Sequence, residues 1–189
     1  MKQRFISGLF VVAVGAVAML SMKAHAADGT ITFTGSVSDT TCSINGVSSG
    51  NPADIAVTLP PVPAGALASA NATAGTTSAG AIQMKLTGCS GAATKAVARF
   101  ENGPTVDQSS GYLVNQSTIT PSQNVEIRLL NANMQPINIL TGANNDISAN
   151  GAPISAGSAT VNYFAQYFAT GKAQPGSVTS SVQYTMQYQ

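Results

Sequence analysis

Two cysteines, Cys42 and Cys89, and one histidine, His25, are the residues in this chain best suited to covalent or metal chemistry. Their placement restricts that chemistry sharply. Lys2 and Arg4 precede a nearly continuous apolar run from Phe5 to Leu20, and Ala24-His25-Ala26 follows as a small-x-small cleavage site. Residues 1–26 therefore read as a secretory signal peptide, with an apolar run too short for a comfortable membrane span. Cleavage after Ala26 removes His25, so the mature chain, Ala27 to Gln189, has no histidine with which to activate a serine or cysteine nucleophile. A zinc site loses its nitrogen ligand by the same step. In an oxidising compartment Cys42 and Cys89 are expected to pair as a disulfide. Closing a loop of roughly fifty residues contributes about 4 kcal/mol on the chain-entropy argument.

The charged residues offer no better basis for catalysis. The mature chain keeps five cations (Lys85, Lys95, Arg99, Arg128, Lys172) against seven acids, a net charge of −2 where the whole sequence carries +1. No basic patch exists for nucleic acid. Glu101, Asp107, Glu126 and Asp146 are scattered over turns and strands and read as solvated surface, and no motif supports a Ser–Lys dyad. No enzyme activity, cofactor, metal or small-molecule substrate is expected. Tyr163, Tyr167, Tyr184 and Tyr188 suggest a sugar-binding face at first sight, but their strand periodicity makes them core and groove-wall residues with hydroxyls at the rim. Asn71-Ala72-Thr73 and Asn115-Gln116-Ser117 fit the glycosylation pattern by chance in an Asn/Ser/Thr-rich chain.

The elements that would position these residues are almost all strands. Gly29, Ile31, Phe33, Gly35 and Val37 alternate with Thr30, Thr32, Thr34 and Ser36. Further short strands are predicted at Ile55–Leu59 (stopped by Pro60-Pro61), Gly80–Cys89, Ala96–Phe100, Asn124–Leu130 and Thr160–Phe168. Ala64 to Ala74 has room for one helical turn. The last strand runs from Gly176 to Gln189, with Val178, Val182, Tyr184, Met186 and Tyr188 on one face. It continues to the final residue, so nothing downstream is expected to pair its free edge, and an apolar edge of this length needs a cover. About six body strands at this spacing indicate an all-β sandwich one strand short of the usual immunoglobulin-like seven.

The strand from Gly29 to Val37 is the candidate for the missing piece, and its spacing permits two readings. Only Ser38 to Thr41 separate it from Cys42, and Asp39-Thr40-Thr41 lacks the chemistry of a tight hairpin, which favours projection away from the domain. Equally, it reads as the first strand of a complete domain.

The termini resemble those of structural pilins of the chaperone–usher type, similar to type 1 fimbrial subunits. The resemblance rests on Ala27-Asp-Gly-Thr-Ile-Thr-Phe-Thr-Gly-Ser-Val37 shortly before Cys42, on Leu86-Thr-Gly-Cys89, and on Tyr167-Phe-Ala-Thr-Gly171 through Pro175-Gly176 to the penultimate Tyr188. Glycine fourteenth from the end and tyrosine next to last match the family at Gly176 and Tyr188. The resemblance implies an incomplete immunoglobulin-like sandwich, the pilin fold without its seventh strand, over residues 39–189. It also implies a donor-strand extension over 27–38. On this reading Ile31, Phe33 and Val37 plug another subunit's groove, Gly35 sits where only a hydrogen fits, and Gly29 lies on the same face. The acceptor groove and chaperone contact would be lined by Gly176, Val178, Val182, Tyr184, Met186 and Tyr188. The implied partners are neighbouring pilin subunits, a periplasmic chaperone and an outer-membrane usher. The implied destination, reached through the periplasm, is a surface fimbrium supporting adhesion. A minor adapter or adhesive tip subunit is the alternative within the same class.

Overall fold

The computed structural model describes Asp39 and residues 41–189. The signal-peptide residues 1–26 and the donor-strand positions Gly29, Ile31, Phe33, Gly35 and Val37 lie outside the described residues. Strand β1 (Thr41–Ile44) is followed by a 3-10 turn at Ala64–Leu67 and by β2 (Thr73–Ala74), β3 (Ile82–Ser90) and β4 (Lys95–Phe100). Then come β5 (Leu113–Val114), β6 (Val125–Leu130), helix α1 (Ile147–Asn150), β7 (Ala152–Pro153), β8 (Ala159–Ala169) and β9 (Tyr184–Tyr188). One sheet has the order β1-β3-β8-β6-β5, with β2 also on β8, and the other has the order β7-β4-β9. All named pairings are antiparallel.

The period-two pattern explains why these segments are strands. Ile82, Met84 and Leu86 of β3 and Val161, Tyr163 and Ala165 of β8 send their side chains into one core. Strand β4 faces them from the other sheet through Ala96, Ala98 and Phe100, all buried, as is Val97 between them. Its alanines leave room for Tyr163, whose ring meets Phe100 edge to face at 4.9 Å. The Tyr163 hydroxyl accepts the Ala98 N–H at 3.0 Å and donates to the Ala98 carbonyl at 3.1 Å, with Asn145 Oδ1 at 3.2 Å. These bonds tie the two sheets through their apolar interior. Burial pushes the Tyr163 hydroxyl up to about 12, against the weaker opposing effect of the Ala98 backbone bond. The expectation of a rim hydroxyl is therefore wrong for Tyr163. The hydroxyl is satisfied inside, by a strand of the opposite sheet that lies 65 residues away in the chain.

The Cys42–Cys89 disulfide is present, joining β1 to β3 with 4.1 Å between Cα atoms. Strands β1, β2, β5 and β7 lie outside the predicted set; they are two to four residues long, too short to show a period. Glu126 is buried rather than solvated, because Val114 of β5 and Phe168 of β8 flank it across β6. Residues 55–59 keep the predicted alternation, with Ile55, Val57 and Leu59 half-buried against the core, yet they form no ladder with another strand. The last segment behaves similarly. Only Tyr184–Tyr188 pairs regularly, while 178–183 remains extended with its inward alternation intact.

Candidate functional site

Two extended segments that lack a ladder between them border a long opening in the described residues. One wall is the segment 51–59, the other the segment 178–188, and the groove between them holds about 1070 Å³. Its floor is the sandwich core itself, including Met84, Phe100, Leu113, Ile127 and Leu129. These residues belong to the buried core, and the groove opens onto them between the two walls.

The main chain makes the same point. Among the described residues, no backbone amide or carbonyl from 54 to 59 is hydrogen-bonded. Strand β9 pairs with β4 along one edge, from Ala96–Tyr188 to Phe100–Tyr184, and its other edge faces the groove. Two rows of backbone donors and acceptors thus flank one apolar trough, and each unpaired buried group is costly.

Of the residues picked from the sequence, Val178, Val182, Tyr184, Met186 and Tyr188 come together on one groove wall. Tyr184 reaches across: its hydroxyl donates to the Ala53 carbonyl at 2.6 Å, linking the two walls at one point. Burial raises the Tyr184 pKa, and the nearby Asp54 charge adds to the rise. Burial also raises Tyr188 and Tyr167. These neutral hydroxyls leave the trough without a formal charge along its wall of tyrosines.

Gly176 stands apart from the lining. A Cβ there would meet backbone, the Thr120 carbonyl oxygen at 2.5 Å among it. This close approach lets Ser177 exchange bonds with the 120–122 loop, Ser177 N donating to Thr120 O at 2.8 Å and Ser122 N to Ser177 O at 2.9 Å. The glycine therefore seats the beginning of the wall. At the other end Gln189 exchanges backbone bonds with Lys95 at 2.9 and 3.0 Å.

Sequence reading misses the opposite wall as a wall, since Ile55, Val57 and Leu59 look like an ordinary strand. It also passes over Ser180, which shares the inward register of Val178 and Val182. Its hydroxyl is enclosed and has no hydrogen-bond partner among the described residues. The period-two rule itself finds Ser180 once polarity is not used to exclude it from the pattern. No group of three or more His, Cys, Asp or Glu residues suited to a metal occurs among the described residues.

The model for the family described as fimbrial protein matches residues 31–189. The chain is 42% identical over 170 residues to the major fimbrial subunit SMF-1 of Stenotrophomonas maltophilia, covering 88% of this chain and 96% of that one. It is 36% identical to the F17 fimbrial protein of Escherichia coli, covering 100% of this chain and 99% of the relative. Among solved structures, a subunit of a chaperone–usher pilus studied for rod uncoiling superposes with a TM-score of 0.55. That match has 20% identity and covers 86% of this chain and 96% of the other, a likeness of immunoglobulin-like fold.

Proposed function

The chain belongs to the fimbrial protein family, and on that premise we propose that its groove accepts a β-strand lent by another polypeptide. It is a structural subunit rather than an enzyme, and it joins other pilin subunits in a surface fimbrium that supports adhesion. The observation that carries the proposal is the pair of backbone edges, unpaired on their groove side among the described residues, that flank one apolar trough.

The donor is residues 27–38 of a second copy or related subunit. Ile31, Phe33 and Val37 descend onto the floor, each contributing roughly 1.5–3 kcal/mol if fully buried. Main-chain bonds form along both walls. Gly35 sits where only a hydrogen side chain fits. Residues 1–26 direct export and are removed, and 39–189 form the pilin domain. Before assembly a periplasmic chaperone covers the same edge, because an exposed trough of this kind aggregates, and an outer-membrane usher is where the donor replaces it. A chain carrying both a donor and a groove suits an interior position in the shaft, in keeping with the major-subunit role named for the Stenotrophomonas relative.

Deleting residues 27–38 tests the reading. Cells producing the shortened chain should export it without building fibres; fibres of ordinary length seen by electron microscopy would contradict it.

A further inference from the structure

A period-two strand entering a period-two groove has a register problem. Slipping by one residue turns the apolar face outward and is strongly penalised. Slipping by two keeps every apolar side chain inward. If donor positions Gly29, Ile31, Phe33, Gly35 and Val37 are set against wall positions Val178, Ser180, Val182, Tyr184, Met186 and Tyr188, several two-residue slips would bury nearly equal apolar area. Apolar burial alone does not choose among them.

Ser180 breaks the degeneracy. It is the one residue of those six wall positions without an apolar or aromatic body, and its enclosed hydroxyl lacks a partner among the described residues. An apolar donor side chain over that hydroxyl would leave it unsatisfied, at the cost of a buried unpaired polar group. A glycine there leaves the donor main chain within reach of the hydroxyl. A lone polar residue in an apolar seam fixes register in coiled coils by the same logic.

Resting on the donor-strand reading above, we propose that Ser180 is a register- and specificity-determining residue of the groove, hydrogen-bonding the main chain of an incoming strand at its internal glycine, Gly35. With the donor antiparallel to the wall, the more stable pairing, this places Val37 opposite Val178, Phe33 opposite Val182, Ile31 opposite Tyr184 and Gly29 opposite Met186. All five inward donor positions then fall on the groove. A slip of two residues toward Tyr188 sets Val37 on the Ser180 hydroxyl, and the opposite slip sets Phe33 on it. The wall therefore rejects related strands whose glycine falls elsewhere.

The test uses cysteine pairs on the outward faces, in fibres made from the full-length chain. Ser36→Cys is combined in turn with Thr179→Cys, Ser181→Cys and Gln183→Cys, and mild oxidation is followed by non-reducing electrophoresis. The proposed register predicts a ladder of cross-linked subunits for the Thr179 pair and little for the others. In a Ser180→Ala background the Ser181 product should appear, and fibre dissociation in denaturant should quicken about two- to tenfold, the worth of one hydrogen bond. Ser180→Thr, which keeps the hydroxyl, should restore the single product. A dominant Ser181 or Gln183 product in the Ser180 chain overturns the register. An unchanged ladder and dissociation rate in Ser180→Ala overturns the role of the hydroxyl. Fibres without any of the three cross-links would instead count against the donor-strand reading itself, and this inference falls with it.

Discussion

Burial sets the behaviour of Glu126. It raises the carboxyl pKa, the nearby Asp107 charge adds to the rise, and the Ser110 hydroxyl, donating at 2.9 Å, opposes it. An acid with a raised folded-state pKa holds its proton more tightly in the fold, so stability falls as pH climbs through the window above the ordinary value of 4.5. Glu126→Gln should therefore unfold at a higher temperature than the parent at neutral pH. That advantage should vanish below about pH 4, where both side chains are neutral. Melting curves across pH check this, and a pH-independent difference would contradict it. Tyr163→Phe deprives Ala98 and Asn145 of a shared buried partner and should cost about 1–3 kcal/mol in denaturant unfolding. Neither residue is legible as such in the sequence. Alternation places both on strands, but whether a polar tip is wet or enclosed depends on the opposing element, and no local pattern encodes that. Ser180 is hidden for the same reason.

The elements legible in the sequence are those long enough to show a period: β3, β4, β6 and β8 lie close to their predicted spans. The two groove walls are legible only in part. Alternation in 55–59 and 178–188 records which face is inward, whereas a hydrogen-bonded ladder needs a neighbour, and neither wall has one on its groove side among the described residues. Hydrogen exchange by mass spectrometry should accordingly find the amides of 54–59 fast in subunits free of a donor and strongly protected in fibres. Equal protection in both states would mean that this wall is not where a strand adds. The disulfide ties β1, an edge of the large sheet, to β3. Replacing Cys42 and Cys89 together by serine should destabilise the domain by up to about 4 kcal/mol, with less if the unfolded chain retains structure.

For the molecule as a whole, the groove turns an incomplete sandwich into a component of an assembly. Its stability is then partly a property of the neighbour, since any strand that binds the folded state alone adds to its stability by mass action. The composition points the same way: a chain with no histidine beyond His25, a single pair of cysteines and an apolar last strand suits a structural part better than a catalyst. The central claim is that residues 27–38 of one copy complete another. The direct measurement is thermal unfolding of the mature chain lacking those residues, with and without a synthetic Ala27–Ser38 peptide. Strand completion predicts a rise of roughly 5–10 °C at a peptide concentration a hundredfold above its dissociation constant, saturating at one peptide per chain and absent for a peptide carrying Gly35→Arg. An unfolding temperature indifferent to the peptide, or raised equally by a scrambled one, would contradict it.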